Sequence, residues 1–440
     1  MITGVLAATD PHRLLLVCRE DDAFASLSYG TVRDLVDDLV TAHPELRGGG
    51  VALRATAERT TVLWLLALDV LAARVHIVPP TMPDETVEAL VADLGLDAVI
   101  DGGAVRPTET HHRSGDRSGG RPGGRSEVVL FTSGTTGVPK GVLHTWESLA
   151  GRIHRSGALG AARWLLAYPL SAFAGLQVFL HALLNGGSVV LGGGEPAGAA
   201  QALRAGVTHV SSTPTFLRLL LMRDEIDAFA PEQFTLGGEP VDQPLLDRVK
   251  ERFPASRVTH IYASSEMGAC FSVHDGRAGF PAELLESDDA PVWLTIVDGE
   301  LHIRSPYAMG GYVGLDDPRD RTGLYATGDL VEHVGDRVHF LGRRNESINV
   351  GGQKVHPREV EEILLAEPRV RAVRVSGASS SVAGQIVRAD VVAVPGADAA
   401  ELRRALLDEC RRRLQPYKVP RILRIVDEIE QTDSGKLVRR

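Results

Sequence analysis

Lysine is almost missing from this 440-residue chain, which carries five lysines against 42 arginines. Basic positions default to arginine, so Lys140, Lys250, Lys354, Lys418 and Lys436 stand out. A planar guanidinium poorly replaces a compact ammonium beside a phosphate, so each lysine is a candidate for chemistry. Lys250, inside the helical pattern Leu245–Phe253, is the one that chance explains best. Cysteine is scarce too: Cys18, Cys270 and Cys410 lie far apart with no CxxC, indicating neither a zinc site nor a disulfide framework. Net positive charge is lacking, and a formal −10 argues against nucleic acid as a main partner. The longest apolar run, Val62 to Val70, is too short for a bilayer and carries Asp69. Met1 to Asp10 has no basic start followed by an apolar core, so no signal peptide is expected. These absences together describe a reduced, cytoplasmic, soluble protein without a membrane partner.

What is present fits a soluble globular chain of two or three domains, with 44% hydrophobic and 24% charged residues. Helical patterns at Thr31–His43, Ala57–Ala73 and Pro83–Leu94 alternate with strand patterns at Val51–Arg54, Arg74–Pro79 and Asp97–Asp101. That alternation predicts a mainly parallel, helix-covered sheet. Gly102 to Ser126 is Gly/Arg/Ser-rich without periodicity and reads as a mobile loop. The alternation resumes from Arg163 to Tyr262, then gives way beyond Pro281 to short β segments, suggesting a barrel-like or antiparallel subdomain. The last stretch reads as a small α+β unit. The expected division is a large domain over 1–342, a junction at 343–346 and a small domain over 347–440.

One stretch carries the first chemical signal. Val128-Val129-Leu130-Phe131 is a buried-strand pattern, followed by Thr132, Ser133, Gly134, Thr135, Thr136 and Gly137, then Pro139-Lys140-Gly141. Hydroxyls and freely turning backbone N–H groups that end at a lysine make a phosphate cradle. A Walker A loop would need Gly-Lys-Ser/Thr, and the hydroxyl that would hold Mg²⁺ is missing here.

Four further motifs follow in order: Tyr262-Ala263-Ser264-Ser265-Glu266; Tyr325-Ala326-Thr327-Gly328-Asp329; Gly342-Arg343 running to Gly351-Gly352-Gln353-Lys354-Val355-His356-Pro357-Arg358-Glu359; and Thr432-Asp433-Ser434-Gly435-Lys436. Together the five resemble the adenylate-forming superfamily of acyl- and aryl-CoA ligases, carrier-loading adenylation domains and luciferases. The resemblance implies a set of roles. Lys140 and the loop hydroxyls hold the β- and γ-phosphates of ATP, and Glu266 is the Mg²⁺ ligand, a hard donor for a hard ion. Ser265 contacts the α-phosphate, and Tyr262 packs on adenine beside a loop at Gly238 and Glu239. Asp329, which has no evident partner nearby in sequence, accepts both ribose hydroxyls with Arg343 assisting. Lys436 neutralises charge as the carboxylate attacks the α-phosphate. Asn345 stands at the hinge, and Gly351 and Gly352 line the tunnel for the thiol of CoA or of a carrier protein's phosphopantetheine.

The acid pocket is expected around Ser171, Ala172, Phe173, Gly175, Ala263 and Gly268. Many CoA ligases carry a histidine at the position of Ala172, and amino-acid-activating domains place an aspartate near here; neither is present. An α-amino acid is therefore not expected, and the resemblance of Tyr168-Pro169-Leu170-Ser171 to the segment in aryl-acid-activating relatives, with walls of Ala, Gly and Phe173, implies a small aryl or α,β-unsaturated carboxylic acid. Alternatives are a stand-alone enzyme that loads an acyl or peptidyl carrier protein, an enzyme activating another acid such as nitrite, and a non-catalytic nucleotide-binding relative.

Overall fold

The computed structural model describes residues 2–20, 23–108, 126–132, 139–380 and 384–430. Four strands, Glu127–Thr132, Arg74–Val78, Gly50–Arg54 and Ala98–Asp101, form the parallel centre of a seven-stranded sheet. Their near-continuous apolar character matches burial on both faces. The edge strand Ala104–Pro107 corrects the reading of 102–126 as loop from its start: Asp101 pairs with Ala104 across a two-residue turn. Gly102 and Gly103 have φ of 56° and 93°, the positive values such a tight hairpin requires. Residues 109–125 lie outside the described residues.

A second, eight-stranded sheet runs from Gly268–Val273 through Arg257–Ser264, Gln233–Gly237, His209–Ser212, Arg163–Leu166 and Ser188–Val190 to Leu14–Glu20 and Ala23–Ser28. All of its neighbouring strands are parallel except at its two edges. The apolar helices Glu58–Val70 and Phe173–Asn185 belong to one hydrophobic core with both sheets. Fully buried side chains such as Trp64, Leu65, Phe179 and Leu183 each stabilise the fold by about 2 kcal/mol.

The short β segments beyond Pro281 form a five-stranded antiparallel sheet, in which Tyr325–Val334 and Arg337–Arg343 are neighbours. Its register sets Asp329 directly across from Arg343. The chain then passes through a single 3₁₀ turn, Arg344–Glu346, into an α+β unit. There Ile348–Val350, Gln353–Val355, Val370–Ser380, Gly384–Ala393 and Ile422–Val426 share one sheet, and helices Pro357–Leu365 and Ala399–Arg413 share its core. No helix among the described residues is long and apolar enough to cross a membrane.

Two histidines, the buried His76 and the half-buried His181, make stability pH-dependent. Burial pushes the His76 and His181 pKa values down to about 4 from an ordinary 6.5. Depressed folded-state values mean the unfolded chain binds more protons below about 6.5. Stability is therefore intact above that pH and is lost between about 6.5 and about 4, by about 1.4 kcal/mol per pH unit for each histidine. Denaturant unfolding is expected to show this fall between pH 7 and 5, and His181→Gln should remove a large part of it. An unchanged slope would remove His181 as a source.

Candidate active site

The third sheet, the carboxyl ends of the second, and the α+β unit enclose a cleft of about 1150 Å³. The phosphate-loop stretch enters it as a β-hairpin: Glu127–Thr132 pairs antiparallel with Lys140–Thr145, and Thr132 faces Lys140 across the ladder. Both line the cleft. Ser133, Gly134, Thr135, Thr136 and Gly137 lie outside the described residues.

Asp329 has partners that sequence proximity hides. Its Oδ2 accepts the Tyr262 hydroxyl at 2.5 Å and its Oδ1 lies 2.7 Å from Arg343 Nε. Arg343 Nη1 also donates to the Thr327 carbonyl at 3.2 Å. Burial and then the Asp329 carboxylate push the Tyr262 phenol well above its ordinary range, so it remains a donor. The Tyr262 ring lies parallel to Phe271 and Phe340, with centroids 5.4 and 5.2 Å away.

Glu266 lines the same cleft. Its Oε1 accepts the Tyr312 hydroxyl at 3.2 Å, and Lys140 Nζ lies 5.4 Å from the centre of the Tyr312 ring. Tyr312, absent from the sequence reading, is delivered by a two-residue strand, Gly311–Tyr312, paired on the outer edge of Lys140–Thr145. So short a strand has no periodicity to detect.

His144 was missed as well. It is 1% exposed, donates from Nε2 to the Ser265 carbonyl at 2.6 Å, and has Nδ1 3.0 Å from Ser148 Oγ. Burial lowers its pKa, and a carbonyl only accepts, so the imidazole is neutral with the proton on Nε2. It tethers the Ser265–Glu266 backbone to the strand that follows Lys140. A lone histidine in an apolar strand pattern gives no sign of that task.

Gly238, Glu239, Ala263, Ser265, Arg343 and Asn345 also line the cleft. Glu239 accepts the Thr215 backbone N–H at 3.1 Å. Beside this loop, Arg218 and Asp242 form a buried ion pair, and Asp242 also caps the helix Gln243–Arg252. Burial alone would raise the Asp242 carboxyl, but Arg218, the Leu245 N–H and Arg358 together outweigh it and hold the pKa low. Arg358 of the α+β unit donates to the Pro240 carbonyl at 3.1 Å, so the two parts of the chain touch at the Gly238–Pro240 loop.

The remaining expected residues lie elsewhere. Ser171 and Phe173 are buried, and neither they nor Ala172, Gly175 and Gly268 line the cleft. Gly175 has a packing reason of its own, since a Cβ there would come within 2.1 Å of the Pro169 carbonyl oxygen. Gly351 and Gly352 are exposed at the turn between Ile348–Val350 and Gln353–Val355, away from the cleft. Of the lysines, Lys140, Lys354 and Lys418 line the cleft, whereas Lys250 closes its helix by donating to the Pro254 carbonyl at 2.8 Å. Lys436 lies outside the described residues.

The fold and its cleft define an adenylate-forming enzyme. The model of the AMP-binding enzyme family matches residues 124–313, and that of the AMP-binding enzyme C-terminal domain matches 359–436. A 2-succinylbenzoate–CoA ligase of Geobacillus kaustophilus is 31% identical over 339 residues, covering 71% of this chain and 68% of the relative. Its counterpart in Bacillus subtilis is 31% identical over 342 residues, covering 71% and 67%. The anthranilate CoA ligase AuaEII, solved with anthranoyl-AMP, superposes with a TM-score of 0.80 at 18% identity, over 99% of this chain and 95% of that one. The chain belongs to the AMP-binding enzyme family.

Proposed function

We propose that this enzyme is an ATP-dependent acid–thiol ligase acting on an aryl or α,β-unsaturated carboxylic acid. In the first step a carboxylate oxygen attacks the α-phosphorus, the bond to pyrophosphate breaks, and acyl-AMP forms. In the second, a thiol sulfur attacks the acyl carbon and AMP leaves. The convergence of the Asp329–Arg343 pair, Glu266 and Lys140 on one cleft carries this reading. Kinship with CoA ligases of an aryl acid supports CoA as the thiol.

In this reading Asp329 accepts the ribose hydroxyls, and Thr132, Lys140 and the loop hydroxyls hold the leaving pyrophosphate. Positioning and charge neutralisation then supply most of the rate enhancement. Glu266 fits a Mg²⁺ role as a carboxylate that lines the same cleft as Lys140 and Thr132. Mg²⁺ commonly takes one or two carboxylates and completes its shell with phosphates and water. Bound there, it would neutralise phosphate charge. Residues 343–346 act as the hinge about which the small domain moves, so that Lys436 serves the first step and the Gly351–Gly352 turn the second.

The test is acid-dependent pyrophosphate release over benzoate, anthranilate, cinnamate and 2-succinylbenzoate, each with and without CoA. Release with one acid, and a thioester with CoA, is the expected result. Product only with a phosphopantetheinylated carrier protein would reassign the acceptor. Release with no acid would overturn the reading.

A further inference from the structure

Directly behind the Asp329–Arg343 pair sits a second carboxylate–arginine pair that the proposed chemistry does not use. Glu300 opens the strand Glu300–Arg304 immediately after the two-residue turn Asp298-Gly299, across which Val297 pairs with Glu300. The turn sets Glu300 under the neighbouring strand, in register with Leu330. Its residue is only 7% exposed, yet both carboxylate oxygens are engaged. Oε1 accepts the Gly328 backbone N–H at 2.7 Å, and Oε2 accepts from Arg344 Nε and Nη2 at 2.9 and 2.6 Å.

The two contacts reach opposite ends of the site. Gly328 precedes Asp329, whose own N–H is held by Thr327 Oγ1 at 3.1 Å, while that hydroxyl donates to the Leu301 carbonyl at 2.7 Å. The backbone presenting the Asp329 carboxylate is therefore fixed from the Glu300 strand. Arg344 is the next residue after Arg343, and the chain leaves the large body through Asn345. Consecutive arginines thus take separate carboxylates: Arg343 takes Asp329 in the cleft, and Arg344 takes Glu300 behind it. Arg344, within the 343–346 segment, is tied to the large body through Glu300. Breaking a pair of this kind leaves a buried charge short of a partner, which is costly.

We propose that Glu300 is a positioning residue that couples the nucleotide-binding carboxylate to the hinge, holding Gly328 with one oxygen and Arg344 with the other. The coupling makes Asn345 a defined pivot, because the chain up to Arg344 stays with the large body. It also means that loosening Arg344 disturbs Asp329 without touching it. The inference rests on the ligase reading for its kinetic arm only.

The test compares Glu300→Gln, Arg344→Ala, the double variant and Arg344→Lys. Hydrogen exchange of the nucleotide-free protein gives a readout that needs no catalysis. The amide of Gly328 is expected to exchange about tenfold faster in Arg344→Ala, although Arg344 does not touch it, with the strands Gly50–Arg54 and Arg74–Val78 unchanged. In pyrophosphate exchange, the KM for ATP should rise about tenfold in each single variant and no further in the double, with the KM for the acid unmoved. Arg344→Lys should restore part of the loss. Unchanged Gly328 exchange in Arg344→Ala, or effects of the two single variants that multiply in the double, would overturn the coupling. If no acid supports pyrophosphate exchange, the ligase reading fails while the hydrogen-exchange arm still decides the coupling.

Discussion

Asp329→Ala is expected to raise the KM for ATP by about a hundredfold. Hydrogen bonds to a charged group are worth about 1.5–3 kcal/mol each, and losing both of the proposed ribose contacts would cost on the order of 3 kcal/mol. The substitution also strips Arg343 and the Tyr262 hydroxyl of the carboxylate that each contacts. Asp329→Asn separates the two effects. The amide oxygen still accepts one hydrogen bond, but its NH₂ faces a donor, so an intermediate KM is expected. Pyrophosphate exchange at varied ATP, with direct binding of a fluorescent ATP analogue, measures both. An Asp329→Ala enzyme with native KM would remove this carboxylate from the nucleotide site.

Lys436→Ala should slow pyrophosphate exchange by about 10²- to 10³-fold, the scale of losing one preorganised group that stabilises transition-state charge. ATP binding should survive, because the Asp329–Arg343 pair and Lys140 are untouched. Thioester formation from a synthetic acyl-adenylate should also survive, since by then the α-phosphate has already reacted. Equal losses in both half-reactions would mean that the lysine does not act at the adenylation step alone.

The sequence made some parts of this molecule legible and hid others for physical reasons. Alternation of apolar strands and amphipathic helices located most elements of the two large sheets, because burial on both faces leaves a dense apolar signature. Gly102-Gly103 misled, since paired glycines mark a flexible stretch and a tight hairpin turn equally well. Asp329, Arg343, Tyr262 and Glu266 were singled out through their motifs, yet the contact of Tyr262 with Asp329 and that of Tyr312 with Glu266 were not. Tyr262 is 67 residues from Asp329, and Tyr312 is 46 from Glu266. Such contacts cross from one sheet to another, which no local pattern encodes. His144 and Glu300 were hidden differently: each is an ordinary residue type in an ordinary strand, and only its burial and its partners give it a task.

The hairpin that joins Thr132 to Lys140 has an evolutionary consequence. Its two feet are locked in register, so the seven residues between them close a loop whose entropy changes little with length, about 0.6 kcal/mol for a doubling. Folding therefore exerts little selection on how many residues the turn contains. In the proposed reading, geometry toward the leaving pyrophosphate sets that number, so changes in the segment's length are tolerated by the scaffold and policed by the substrate.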